Sequence, residues 1–162
     1  MTDFEALLSD LEEAFPSTMP PEPIRLVSDD MDHDTVYYVK ELLQVPWREL
    51  PRRMVAEHCD CALALSIERY FAVFPAYLDA YVYYLWHEDP YCSTIESVFR
   101  HIPWRNSDPS IFSLSTDIQR EVIARSLIAA IELHEAWRQP GTKYSPEPLQ
   151  VVRQVYEEWT SD

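Results

Sequence analysis

The chain has 162 residues, of which 47% are hydrophobic and 13% aromatic, and its formal net charge at pH 7 is −15. This length and hydrophobic content predict one folded domain with a sizeable core, and they exclude a disordered chain. The negative charge disfavours direct binding to nucleic acid or to anionic membrane surfaces, and it favours a basic protein partner. Because the chain contains a single glycine, glycine-rich phosphate loops, dinucleotide-binding fingerprints and nucleophile elbows are also excluded.

The N-terminal segment predicts an amphipathic helix over residues 3–15. Its apolar residues recur at helical spacing on one face: Phe4, Leu7, Leu8, Leu11 and Phe15. The segment has neither a basic start nor a long apolar run, so we do not expect a signal peptide. A reducing cytoplasm is the expected location, and the odd number of cysteines, three, agrees with it.

An extended, proline-rich and acidic connector is predicted over 17–33, inside a single helical domain that comprises 1–162. Near its end the string SDDMDHDT contains four aspartates: Asp29, Asp30, Asp32 and Asp34. Clustered carboxylates can bind a hard cation, but the central glycine of a calcium loop is missing. We interpret the string as an acidic loop that is solvated or binds a partner, with Asp32 or Asp34 capping the next helix.

The next helix is predicted from about 34 to 44, and a short helix is expected within 47–59. The string HCDC then places His58, Cys59 and Cys61 close together. Imidazole and thiolate are zinc ligands, but Cys-x-Cys is tighter than the usual spacing, and the remaining ligand would have to be Cys92 or a distant histidine. The favoured interpretation is therefore a pair of partly buried cysteines before a helix, and no metal or other cofactor is predicted.

The string SIERYFAVFPAYLDAYVYYLW, residues 66–86, contains eight aromatic residues and predicts a central helix that begins after Ser66. Three charged residues exclude a membrane span, because each costs about 2.5 to 3.5 kcal/mol at the centre of a bilayer: Glu68, Arg69 and Asp79. Pro75 removes one backbone hydrogen bond, so the helix is expected to kink near Phe71 or to divide in two.

Five aromatic residues of this helix do not fit on its apolar stripe: Tyr70, Tyr77, Tyr83, Tyr84 and Trp86. One interpretation, slightly favoured, is that neighbouring helices cover both sides of the central helix. The other is that part of the set forms a partner-binding surface, since tyrosine and tryptophan are frequent at interface hot spots.

Three further helices are predicted, the first from Ser93 as its cap to about Ile102. After a loop over 103–113, a long helix is expected over 115–138 with Ser115 or Thr116 as its cap and with an apolar stripe of Ile123, Leu127, Ala130 and Ile131. A last helix begins at Ser145-Pro146 and places on one face Leu149, Val152, Tyr156 and Trp159. Strand patterning is weak throughout.

No catalytic constellation is identified in the sequence. His134 lies on the apolar stripe of the long helix and is expected to be a hydrogen-bonded core residue, because no orienting carboxylate or nucleophile can be assigned to it. The string HEDPYC offers His87, Glu88, Asp89 and Cys92, but it supplies no third group for a cysteine nucleophile.

The order of several segments is familiar: HDT at 33–35, WREL at 47–50, SIERYFAVFPAYL at 66–78 and FSLSTDIQR at 112–120. Together they resemble a family of small bacterial proteins known only as a domain of unknown function. The resemblance covers roughly 4–135 and implies an intact helical domain without an established activity. Members of that family often carry two cysteines where this chain reads TVYYVKEL, so no metal role is carried over.

These observations predict an all-α domain of five to seven helices that acts as a non-enzymatic, acidic binding protein. The preferred hypothesis is an immunity or antitoxin protein that inhibits a basic toxin domain. Its predicted partner-binding residues are Asp29, Asp30, Asp32, Asp34, Tyr83, Tyr84 and Trp86, with steering contributions from Glu12, Glu13, Glu157 and Glu158. The alternatives are a metal-dependent hydrolase that uses the histidine, aspartate and cysteine positions, and a structural or regulatory subunit that self-associates through the aromatic helix.

Overall fold

The computed structural model describes residues 3–17, 33–42, 45–137 and 147–161. Its first helix, α1, spans Phe4–Ala14, and it begins where the side chain of Asp3 accepts a hydrogen bond of 3.1 Å from the backbone N–H of Ala6. Phe4, Leu7 and Leu11 are buried, as their helical spacing predicts. The opposite side of α1 faces solvent.

Two helices and two 3₁₀ turns follow α1. Helix α2 spans His33–Leu42 and α3 spans Arg52–Glu57, with one 3₁₀ turn before α3 at Trp47–Glu49 and another after it at Cys59–Ala64. The indole N–H of Trp47 donates to the backbone oxygen of Phe15 at 3.1 Å, and this bond connects the end of α1 to the segment before α3.

Helix α4 spans Ile67–Trp86 without interruption, with Ser66 at its N-cap and Pro75 inside it. The predicted alternative of two separate helices is therefore wrong. A proline inside a helix costs about 3 kcal/mol, whereas each large apolar side chain that is fully buried contributes about 1.5 to 3 kcal/mol. Several such side chains, including Phe74, Tyr77 and Leu78, are completely buried around the proline, so packing outweighs the lost hydrogen bond.

Helix α5 spans Tyr91–Phe99 with Pro90 at its N-cap, three residues before the predicted cap, Ser93. Ser93 is an exposed residue inside this helix rather than its cap. The reason is local, because the Asp89 carboxylate already accepts a hydrogen bond of 3.0 Å from the backbone N–H of Tyr91. A short helix, α6, spans Ile111–Leu114 within the predicted loop, where Ser110 and Ser113 form a reciprocal capping box.

The two C-terminal helices agree with the predicted pattern. Helix α7 spans Asp117–Ala136 and starts at a capping box formed by Thr116 and Gln119, so Thr116 is the cap. Helix α8 spans Glu147–Thr160, and the predicted start at 145–146 lies outside the described residues. Leu149, Val152 and Trp159 of α8 are buried, and Tyr156 packs partly buried against the core.

Helix α4 lies at the centre of the fold and contacts α1, α3, α5, α6 and α7, while α7 also packs along α8. One large hydrophobic cluster contains side chains from each of the helices α1 to α8. A small cluster beside it joins Phe4 and Leu7 to Val82 and Ala129. The described part of the chain is thus a single all-α domain without strands. No helix in that part is both long enough and apolar enough to cross a membrane.

Candidate functional site

The exposed side of α1 is strongly acidic. The helix carries four carboxylates and no lysine or arginine. Glu5, Glu12 and Glu13 face solvent because the apolar residues of the same helix turn toward α4 and α7. Asp10 pairs with Arg125 of α7 at 2.6 Å. We call the surface formed by Glu5, Glu12, Glu13 and the neighbouring Trp86 the α1 face.

Trp86 is the aromatic residue of the α1 face. Its ring stacks on Phe4 with centroids 5.3 Å apart and an interplanar angle of 18°. Phe4 is itself held by the small cluster with Leu7, Val82 and Ala129. Trp86 remains 37% exposed. The stack on Phe4 therefore holds the partly exposed ring of Trp86 beside the first turn of α1.

The two tyrosines that were predicted with Trp86 lie differently. Tyr83 is half-buried, and the guanidinium of Arg52 lies 4.2 Å from its ring centroid. Arg52 in turn donates two hydrogen bonds to Asp79, of 2.6 and 3.0 Å. Tyr84 is only 9% exposed. It packs edge-on against Tyr91. Both tyrosines pack mainly inside the fold and offer a partner much less surface than Trp86, and Tyr84 is too buried to anchor one.

The remaining predicted binding residues are distributed around the molecule. Asp29, Asp30 and Asp32 lie outside the described residues, and Asp34 is the second residue of α2. Glu157 is exposed on α8. The carboxylate of Glu158 accepts hydrogen bonds from the backbone N–H groups of Arg105 and Asn106, at 3.1 and 3.2 Å. Glu158 therefore anchors the loop before α6, a role that its position in the sequence does not reveal.

Three polar side chains meet in the interior, where α4, α5 and α7 pack together. One carboxylate oxygen of Glu96, Oε1, accepts a hydrogen bond of 2.6 Å from the hydroxyl of Tyr81. The same oxygen lies 2.6 Å from Nε2 of His134. Glu96 and His134 are 2% and 1% exposed. The prediction that His134 is a hydrogen-bonded core residue is confirmed.

Glu96 was not singled out from the sequence, although a signal was present. Cys92, Ile95, Glu96 and Phe99 have the spacing i, i+3, i+4, i+7 that places all four on one face of a helix, and all four are buried. The second carboxylate oxygen, Oε2, has no hydrogen-bond partner among the described residues. The other oxygen, Oε1, connects α5 to α4 through Tyr81 and to α7 through His134.

All three cysteines are buried. None of the three is in a disulfide. Burial raises the pKa of the Cys59 thiol above its ordinary value to about 11, and burial together with the nearby Glu96 carboxylate raises the pKa of Cys92 to about 11. The Cys59 thiol donates to the backbone oxygen of Thr94 at 3.3 Å. Because a thiolate is the reactive form, these thiols are poor nucleophiles at neutral pH.

Neither HCDC nor HEDPYC brings its histidine, cysteine and carboxylate side chains together into one site. His58 stacks on Tyr38 of α2, with ring centroids 3.3 Å apart, so it faces an aromatic ring while Cys59 turns to Thr94. His87 and Glu88 are exposed, whereas Cys92 is buried. In the described ranges, no three histidine, cysteine, aspartate or glutamate side chains lie close enough to hold a metal ion.

No protein-family model matches the chain, and the searches of curated proteins and of solved structures found no match. The resemblance to a small bacterial family therefore stays a prediction from the quoted segments.

Proposed function

We propose that the protein is a non-enzymatic, acidic binding protein of the immunity or antitoxin kind, which inhibits a basic toxin domain by covering its surface. The observation that supports this proposal best is the α1 face, where Trp86 stands exposed on Phe4 beside an acidic helix without a basic residue. The net charge of −15 extends the same preference for a basic partner to the whole chain.

The charge supplies the attraction over distance. A negative surface raises the rate at which a positively charged partner is encountered, and the effect weakens as salt screens it. Glu5, Glu12 and Glu13 are exposed on α1, and this surface stays acidic although Arg48 donates to the backbone oxygen of Glu12 and Arg125 pairs with Asp10. The three glutamates contribute mainly to the association rate, because exposed charges gain little binding energy in contact.

Trp86 supplies the contact. Tryptophan is among the residues that most often dominate interface energy, and its ring binds arginine or lysine through cation–π contact. Since Phe4 fixes the ring in the free protein, little conformational freedom is lost when a partner binds. An arginine or lysine of the partner, placed on Trp86 and flanked by Glu5, is the contact that we propose.

The experiment starts with the tagged protein as bait in a lysate of its source cells, washed at low and then at high salt. The released protein is purified, and its association rate is measured as a function of salt for the wild type, for Glu5→Lys/Glu13→Lys and for Trp86→Ala. We expect a basic protein whose association slows at least tenfold at low salt with the charge reversal and whose toxicity to cells is abolished by the wild type. Equal association rates for all three proteins would contradict the proposal.

A further inference from the structure

A groove runs between α5 and α8 and shares no residue with the α1 face. It consists of two adjoining cavities of about 430 Å³ and about 300 Å³. Both are lined by Arg100, Glu147 and Val151, and the Arg100–Glu147 ion pair of 2.7 Å crosses the groove where the cavities meet. Each cavity has the size of a site for one or a few side chains.

The cavity of about 300 Å³ has an apolar floor and amide groups on one wall. Trp104 and Phe99 are buried beneath it, and Gln150 and Gln154 of α8 stand exposed along it. Neither glutamine side chain makes a hydrogen bond with a described residue. Each amide offers two donors and one acceptor to an occupant of the groove.

The spacing of these two amides suits an extended peptide. Residues i and i+4 of a helix are about 6 Å apart along the axis, since the rise is about 1.5 Å per residue. Every second residue of an extended chain repeats at about 6.6 Å. Two glutamines one helical turn apart can therefore bond to alternate peptide units of an extended segment that lies parallel to α8.

The charges of the groove favour a basic segment. The residues that line it include three glutamates, Glu96, Glu147 and Glu158, and one arginine, Arg100. Arg100 and Glu147 neutralise each other. Glu96 and Glu158 then leave the groove with more acidic than basic lining residues, so it attracts a positive charge.

We infer that the α5–α8 groove binds an extended, lysine- or arginine-containing segment of a protein partner, with its backbone on the Gln150 and Gln154 amides and a cationic side chain near Glu96. This inference rests on the binding function proposed above, and it assigns a second surface to the same basic partner. The Arg100–Glu147 pair is 44% and 65% exposed, so it opens at little cost when the segment enters.

The test uses synthetic peptides and measures their affinity by fluorescence anisotropy. The probe is a labelled decapeptide of alternating threonine and lysine, which places all lysines on one side when extended. A block peptide of the same composition, five threonines followed by five lysines, has the same charge without that alternation. We expect the alternating peptide to bind at least tenfold more tightly than the block peptide.

The variant Gln150→Ala/Gln154→Ala removes both amides without changing the net charge. We expect it to lose about tenfold in affinity for the alternating peptide, as two hydrogen bonds predict, with an unchanged melting temperature because both residues are exposed. The control Glu157→Gln, exposed on α8 outside the groove, is expected to bind within twofold of the wild type after correction for its charge.

Equal affinity of the double variant and the wild type would overturn the groove as the binding site, and so would equal affinity for the two peptides. Neither result would affect the proposed function, which is tested separately by the association rate of the purified partner with Glu5→Lys/Glu13→Lys. Conversely, a tenfold loss in the double variant supports the groove even when charge reversal on α1 has no effect on that rate.

Discussion

Phe4 and Trp86 stack with ring centroids 5.3 Å apart, and this contact joins the first turn of α1 to the last turn of α4. The two residues share the contact unequally, since Phe4 is buried and Trp86 stays partly exposed. Phe4 therefore contributes mainly to stability, whereas the outer side of Trp86 is available to a partner. The two roles can be separated by substitution.

Phe4→Ala is expected to destabilise the protein by about 3 kcal/mol, because it removes a buried ring and leaves a cavity beside Leu7 and Val82. Urea unfolding followed by circular dichroism measures the effect. Phe4→Leu fills most of that space and is the matched control, with an expected loss of about 1 kcal/mol. Equal stability of the alanine variant and the wild type would show that α1 is not held by this cluster.

Trp86→Ala is expected to weaken binding to the purified partner by about 2 kcal/mol, roughly thirtyfold in the dissociation constant, as for a hot-spot residue. Titration calorimetry measures the change. Leu63→Ala is the control, because Leu63 is a large apolar residue that is 42% exposed and lies in the 3₁₀ turn Cys59–Ala64, which packs on α2 and α5. A similar loss in both variants would argue against a specific role for the tryptophan.

Glu96→Ala is expected to destabilise the fold by about 3 to 5 kcal/mol. It removes the acceptor that the buried Tyr81 hydroxyl and His134 ring share, and the loss of one member of a buried charged network is costly. A double-mutant cycle with Tyr81→Phe checks the mechanism in urea unfolding. Additive effects would mean that Tyr81 and Glu96 do not stabilise each other through the observed 2.6 Å hydrogen bond.

The buried thiols predict a loss of stability at alkaline pH. Folding raises the pKa of Cys59 and of Cys92 to about 11, so the unfolded chain releases these protons at lower pH than the folded chain does. Their contribution is complete below the unfolded pKa of about 8.5 and is lost as pH rises through the folded pKa near 11. Unfolding in urea between pH 8 and pH 11 measures the decline.

Cys59→Ala/Cys92→Ala is the control for this pH dependence. The variant is expected to be less stable at pH 8, but its free energy of unfolding should fall less steeply toward pH 11. The fall that remains is attributed to buried tyrosines such as Tyr70, whose pKa burial also raises. A decline as steep as that of the wild type would exclude the thiols as its cause. In the native wild type at pH 8, a disulfide reagent should react with these cysteines slowly, and after unfolding it should react at once.

The sequence by itself determined the helical class, the core faces of α1 and α8, and the start of α7. These features depend on neighbours three or four residues away, such as the Thr116–Gln119 capping box, and apolar spacing and caps encode them directly. The early start of α5 is equally local, because the Asp89 carboxylate accepts a hydrogen bond from the backbone N–H of Tyr91.

Only the tertiary structure decided which aromatic residues are exposed and what the buried polar residues contact. Pro75 stays within a continuous α4 because the helices around it bury its neighbours. Tyr84 is buried against Tyr91 while Trp86, two residues later, remains accessible. Tyr81, Glu96 and His134 come from three helices, and their hydrogen bonds depend on how those helices pack. Contacts between residues that are distant in the chain leave no local sequence pattern, so their geometry cannot be predicted from a single sequence by helical spacing or capping residues.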